Sequence, residues 1–388
     1  MAGAVLWIVA ALLLWRTAVP GDLSLPDVDP AALVPADELE RAERYERFLR
    51  IDFVLSQVVL LGVLALYAWR GARFAKESAA GRIGTGMLLG MIGLALVWLS
   101  QLPFRIAEVW WDRRYEQTDA GYVESLFVNW FALGAEFLFI CLALLIVMAL
   151  AGRFPRRWWL GAAPAFVSLA VLFSFVAPYL FPTEPAEPAL RADARRYALA
   201  QDTEPMRVAV EDVSEYTDAP NAYAVGLGPT RRVVLWSTLL DGRFSEGEVR
   251  VVLAHEVAHH SRNHLLEGLG WYSLFALPGT WLIALATRRR GGMAQPAAVP
   301  VSLLVLVALQ LASMPLQNAI SRHMEREADW VALVTTRDPA SARALFRHFS
   351  TEALADPDPP AWSRLLLDSH PSVVERVALA EAWRARNR

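Results

Sequence analysis

Hydrophobic residues in this chain gather into long runs instead of alternating or recurring on one helical face. Seven segments are apolar for close to the roughly 20 residues that cross a hydrocarbon core: residues 3–19, 53–69, 83–104, 126–151, 158–181, 268–287 and 299–318. Such runs predict helices, because backbone N–H and C=O groups in lipid must pair within their own segment. The first run has no basic stretch before it, so a retained helix is expected there and not a cleaved leader. The third begins with Gly84, Gly86, Gly90 and Gly93. That spacing suits close helix packing in lipid, and equally the general tolerance of membrane helices for glycine.

Two polar regions interrupt the pattern, residues 182–267 and 321–388. A proline-rich acidic stretch, 20–35, leads into 38–50, where Glu40/Arg44 and Glu43/Arg47 stand at i,i+4. These pairs predict a solvated helix running into the membrane. Within the first polar region, 189–201 reads as an amphipathic helix and 207–213 as a strand. Residues 221–228 and 232–236 read as two further strands. Residues 245–264 read as a helix, opened by Ser245 as N-cap with Glu248 completing a capping box. Four units follow from these breaks: 1–182 with five spans, 183–267, 268–318 with two spans, and 319–388.

Composition sharpens this reading. The chain has 388 residues, 55% of them hydrophobic and 20% charged. A soluble domain is less apolar and more charged, so a cytosolic enzyme and a disordered chain are excluded. The net charge of −3 speaks against a nucleic-acid partner. The single cysteine, Cys141, cannot form an internal disulfide.

The expected helix 245–264 carries His255-Glu256-Val257-Ala258-His259. Positions four apart share a helix face, so both imidazoles can reach one metal. Glu256 sits about 100° round, where it can touch a water on that metal without ligating it. Two neutral imidazoles with a carboxylate suit zinc, which in catalytic sites keeps three protein ligands and one open position. His260 points away from the 255/259 face and is expected to be structural or exposed. His264, five residues beyond His259, is a candidate to stand behind a ligand. A third ligand is needed. Glu325 and Asp329, four apart after the last run, share a face and fit a ligand with a carboxylate that orients a ligand histidine. The interleaved Arg322, Arg326 and Glu327 also fit a plain solvated turn.

These pieces stand in the order found in a known family. Asn221-Ala222-Tyr223 precedes a strand ending Thr238-Leu239-Leu240. Then come Ala254-His255-Glu256-Val257-Ala258-His259, two spans, Ser321-Arg322-His323-Met324-Glu325-Arg326-Glu327-Ala328-Asp329, and finally His370-Pro371 with Glu375-Arg376. The chain resembles the CAAX prenyl protease type I family of integral-membrane zinc metallopeptidases. The likeness is strong from Asn221 onward and weaker through the first five spans. The resemblance implies a mainly α fold, a seven-helix membrane bundle with a catalytic domain built of the HExxH helix and a small β-sheet. It implies one zinc per chain on His255, His259 and Glu325, with Glu256 as catalytic base. It makes Asp329 the partner of a ligand histidine, sets His370 near the scissile carbonyl with Arg376 beside it, and gives Asn221, Ala222, Tyr223 and Ala224 to an edge strand that aligns substrate. The implied activity is endopeptidase cleavage of membrane-associated proteins or peptides, with a lipid bilayer and a protein or peptide as partners and no nucleic acid.

Glu136, in the fourth run, is expected to line a water-filled chamber or to pair with an arginine or Asn129. A transporter or receptor-like scaffold with a structural zinc would explain the spans and Glu136, but it leaves Glu256 without a task. Orientation draws two expectations. The loops after runs two, four and six hold Arg70, Arg73, Lys76 and Arg82, then Arg153, Arg156 and Arg157, then Arg288, Arg289 and Arg290. This density puts those loops in the cytoplasm and the zinc region outside it. The resemblance puts the zinc region on the cytoplasmic side, and that is the side expected here.

Overall fold

The computed structural model describes residues 2–74, 80–215 and 217–387, with the side chains of a few of these, including 126–133, left aside. Lys76 and Asn129 therefore fall outside what is described. Among the described residues, six helices are long and apolar enough to cross a membrane. They are α2 (Ala36–Arg70), α3 (Gly81–Arg114), α4 (Tyr122–Arg153), α5 (Trp158–Val176), α8 (His264–Thr287) and α9 (Val299–Thr336). Each packs on the next, α2 on α3, α3 on α4, α4 on α5, α5 on α8, α8 on α9, and α9 on α2 again. The six therefore close into a ring.

The first apolar run departs from expectation. Its helix, α1, covers only Ala2–Leu14, about 20 Å at 1.5 Å per residue and short of the hydrocarbon thickness. Tertiary contacts end it. Trp15 stacks on His323 with ring centroids 4.3 Å apart, and the Ala18 N–H donates to Glu327 at 2.6 Å. The chain then runs on through Val19, Leu23, Leu25 and Val28 to buried Leu33 and Val34, all packed into the core of the polar region.

Three of the four glycines singled out in α3 are close-packing positions, Gly86, Gly90 and Gly93, whereas Gly84 faces only Ala80 at the N-cap of its own helix. A Cβ on Gly86 would lie 2.2 Å from Met148, one on Gly90 2.5 Å from Leu144, and one on Gly93 2.4 Å from Leu303. Helix α3 thus lies tightly against α4 on one side and α9 on the other. Glu136 is exposed on α4 and lines a cavity of about 370 Å³ among the spans, with Asp52, Gln101, Arg105 and Glu108.

The polar region is built on four strands, β1 (Glu184–Pro185), β2 (Arg207–Glu211), β3 (Ala222–Val225) and β4 (Arg232–Trp236), in the order β1-β2-β4-β3. Strands β2 and β4 run parallel, and the other pairings are antiparallel. Helix α6 (Pro188–Ala200), α7 (Glu246–Ser261), α10 (Pro339–Thr351) and α12 (Val373–Arg386) complete it, with the short α11 (Ala361–Leu366) against α9. Helix α7 is the centre of this core. Leu253, Ala254, Val257 and Ala258 have no exposed surface, which suits a helix apolar over most of its circumference. The solvated helix expected at 38–50 is the first part of α2, with the Glu40–Arg44 pair in place. At its end Arg50 bonds Asp356 at 2.7 Å, both side chains nearly buried. That pair fastens the ring to the polar region, and removing one partner of such a pair typically costs about 3–5 kcal/mol.

Candidate metal centre

Helix α7 starts as its sequence predicts. Ser245 accepts from the Glu248 N–H, and the Glu248 carboxylate accepts from the Ser245 N–H at 2.8 Å. The helix ends at Ser261, three residues before the expected boundary, because Asn263 turns the backbone left-handed at φ 60°. The left-handed region is one that asparagine tolerates better than most residues. That turn starts α8 at His264 and folds the His264 ring back onto α7.

His255 and His259 stand on one face of α7, and Glu325 faces them from α9. The Nε2 atoms of the two histidines are 3.1 Å apart. Glu325 Oε2 lies 3.2 Å from His255 Nε2, and Glu325 Oε1 lies 3.5 Å from His259 Nε2. His255 Nδ1 is 2.9 Å from Asp329 Oδ1. That contact assigns the His255 proton to Nδ1 and leaves a lone pair on Nε2. Asp329 is itself held by Arg376, whose Nε and Nη2 donate to its two oxygens at 2.8 and 2.6 Å. The Arg376 guanidinium lies over the Phe346 ring, 4.2 Å from its centroid. His255, Glu325 and Asp329 are all buried, and Glu325 Oε2 has no hydrogen-bond donor.

This set fits a metal ion. Lone pairs from two imidazoles and a carboxylate converge at 3.1–3.5 Å, an arrangement that repels itself unless a cation lies between. A four-coordinate ion with bonds of about 2.0–2.1 Å spaces its ligand atoms by about 3.3 Å. Among the described residues these three form the group able to hold a metal ion.

Glu256 points beside the set, into a cavity of about 590 Å³ that it lines with His255, His259, Glu325 and His370. Burial pushes its carboxyl up to about 7, although a hydrogen bond from the Ala224 backbone pulls the other way. His370 is exposed, with Nε2 3.4 Å from Glu325 Oε2. Asn221, Ala222, Tyr223 and Ala224 line the same cavity, and β3 is an edge strand. The Trp236 N–H donates to the Asn221 carbonyl, and Tyr223 pairs with Val234. In an antiparallel ladder bonded and non-bonded pairs alternate, so the backbone groups of Ala222 and Ala224 point away from β4, toward the open edge.

All eleven residues singled out as site candidates therefore border one cavity or support a residue that does. His260 is buried, with Nε2 3.0 Å from the Arg232 carbonyl, a structural role. Glu327 is the residue that sequence reasoning missed. Placed there in a solvated turn, it is 2% exposed and touches His264, Arg262 and Ala18.

A model of peptidase family M48 matches residues 187–384. The "Uncharacterized metalloprotease YhfN" of Bacillus subtilis (strain 168) is 26% identical over 407 aligned residues, covering 95% of this chain and 92% of that one. A "Protease HtpX homolog" of Methylibium petroleiphilum is 33% identical over 180 residues, covering 42% of this chain and 64% of its own. Among solved structures, the crystal structure of S. mikatae Ste24p aligns over 97% of this chain and 96% of that one, with a TM-score of 0.71 at 17% identity. That last match is a likeness of fold.

Proposed function

The chain belongs to peptidase family M48 and is a multi-pass membrane metalloprotease, and from that premise we propose that its metal is one zinc ion per chain on His255, His259 and Glu325, with Glu256 as the general base of peptide hydrolysis. The observation that carries this reading is the convergence of those three ligand atoms within 3.1–3.5 Å beside a buried carboxylate that ligates nothing. Zinc, when bound, supplies a Lewis acid for the scissile carbonyl and makes water more acidic. Glu256 takes the proton from the attacking water on its carboxylate and returns it to the leaving amine. His370 donates from Nε2 to the oxyanion, at the open mouth of the cavity. Asp329, held by Arg376, fixes the tautomer of His255 and so its lone pair. Elemental analysis of the purified chain tests the metal: one zinc per chain is expected, lost with activity to a chelator and restored with it. A purely structural zinc is closed by four protein ligands. Three ligands opening onto a cavity favour hydrolysis over the transporter or scaffold reading.

The outward backbone groups of Ala222 and Ala224 suit an extended peptide added to the sheet edge. Ala224→Pro leaves the β4 ladder intact but removes the N–H that bonds Glu256, so it disturbs the base as well as the sheet edge. We expect unchanged zinc content, a lowered kcat from the loss at Glu256 and, if the edge aligns substrate, a KM raised about 5–10-fold, the worth of one hydrogen bond. Ala224→Gly, which keeps the N–H, should stay near wild type. An unchanged KM in the proline variant would make β3 an ordinary structural strand.

Substrates on this reading are membrane-associated proteins or peptides, cleaved on the cytoplasmic side. Residues 182–267 and the C-terminal region share a side of the membrane, because α8 and α9 make one return crossing between them. A reporter fused after Arg388 decides the side. Green fluorescence is expected, whereas alkaline phosphatase activity at the same fusion would reverse the orientation.

A further inference from the structure

The two ligand histidines are supported differently. His255 leans on Asp329 directly, whereas the ring behind His259 is another histidine. His264 Nδ1 lies 3.0 Å from His259 Nδ1, and His264 Nε2 lies 3.2 Å from Glu327 Oε2. A carboxylate only accepts, so the His264 proton sits on Nε2 and its Nδ1 carries a lone pair. His259 must then donate from Nδ1, which frees its Nε2 for the metal. The direction of every bond in this chain is fixed by its far end.

That far end is itself anchored. Glu327 Oε1 accepts from the Ala18 N–H at 2.6 Å and from Arg262 Nε at 2.8 Å. His264 and Glu327 are 4% and 2% exposed. Trp15 covers the same corner, stacked on His323 and edge-on to Trp271. The segment that leaves α1 thus closes the relay from behind.

We propose that His264 and Glu327 are positioning residues for the ligand His259, and that the segment following α1 completes this relay through the Ala18 N–H. The inference rests on the metal reading above and adds to it a structural duty for a part of the chain 309 residues away in sequence from Glu327. Removing the support of a ligand histidine typically weakens metal binding by 10–100-fold.

The test is the Zn2+ affinity of the full chain in detergent, measured by competition with a chromophoric chelator. The melting temperature of the metal-free protein is measured in parallel. His264→Ala and Glu327→Ala should each weaken Zn2+ binding about 10–100-fold. Ala18→Pro, which deletes the N–H, should weaken it in the same direction, and Ala18→Gly, which keeps it, should not. A merely structural role lowers the metal-free melting temperature and leaves the affinity of the folded protein alone. Wild-type affinity in folded His264→Ala and Glu327→Ala would overturn the relay. Equal affinity in Ala18→Pro and Ala18→Gly would remove the N-terminal segment from it. Failure of the wild-type chain to bind Zn2+ at all would instead defeat the metal reading itself.

Discussion

Glu256→Gln should keep the bound metal and lose peptide hydrolysis by at least about 10²–10⁴-fold, the usual contribution of a positioned general base. The amide has the shape of the carboxylate and can still accept from the Ala224 backbone that bonds Glu256. The variant therefore removes the proton acceptor and little else. Glu256 stands outside the group of three converging ligand atoms, so metal content, read by elemental analysis, should stay at the wild-type level. Turnover within a few-fold of wild type would take the base role away from this residue and require another acceptor in the cavity.

Glu325→Ala should do the reverse and lose the metal first. The two Nε2 atoms of α7 are 3.1 Å apart with Glu325 as the remaining ligand group beside them. On the proposed ligand set, the loss of Glu325 would leave the ion two of its three protein bonds. The carboxylate also carries the negative charge that offsets the ion in a buried site. Zinc content after dialysis should fall to a small fraction of one per chain, and hydrolysis with it. Glu325→Gln should behave likewise, because its neutral amide is a poor match for a divalent ion. Full zinc retention in Glu325→Ala would exclude Glu325 as a ligand.

Much of this was legible in the residues. The capping box at Ser245 and Glu248 placed the start of α7, and four-residue spacing placed His255 with His259 and Glu325 with Asp329. Each of these signals is local, and local geometry carries them. The misses are tertiary. The first apolar run reads as helix to its end, yet Trp15 and Ala18 are drawn off by His323 and Glu327, which no periodicity in the run announces. Strand β1 is two residues long and contains Pro185, too short to show alternation. Glu327 sits in a charged stretch where any one acid looks like its neighbours, and only the packing of α7, α8 and the N-terminal segment around it explains its burial. The turn at Asn263 could have been suspected from the residue type, since asparagine is common in left-handed positions.

The chain from Trp15 to Val34 has a consequence for how the molecule is made. Its apolar side chains share one core with Leu333, Val377 and Trp383 among others, so that core is incomplete until those residues have been made. With Ala18 and Glu327 309 residues apart and synthesis at about 5–20 residues per second, the wait is about 15–60 s. Through that interval the early helices sit in the bilayer while the segment beside them stays unburied. The candidate metal centre cannot assemble before α9 and α12 have been made, because they supply Glu325, Asp329 and Arg376.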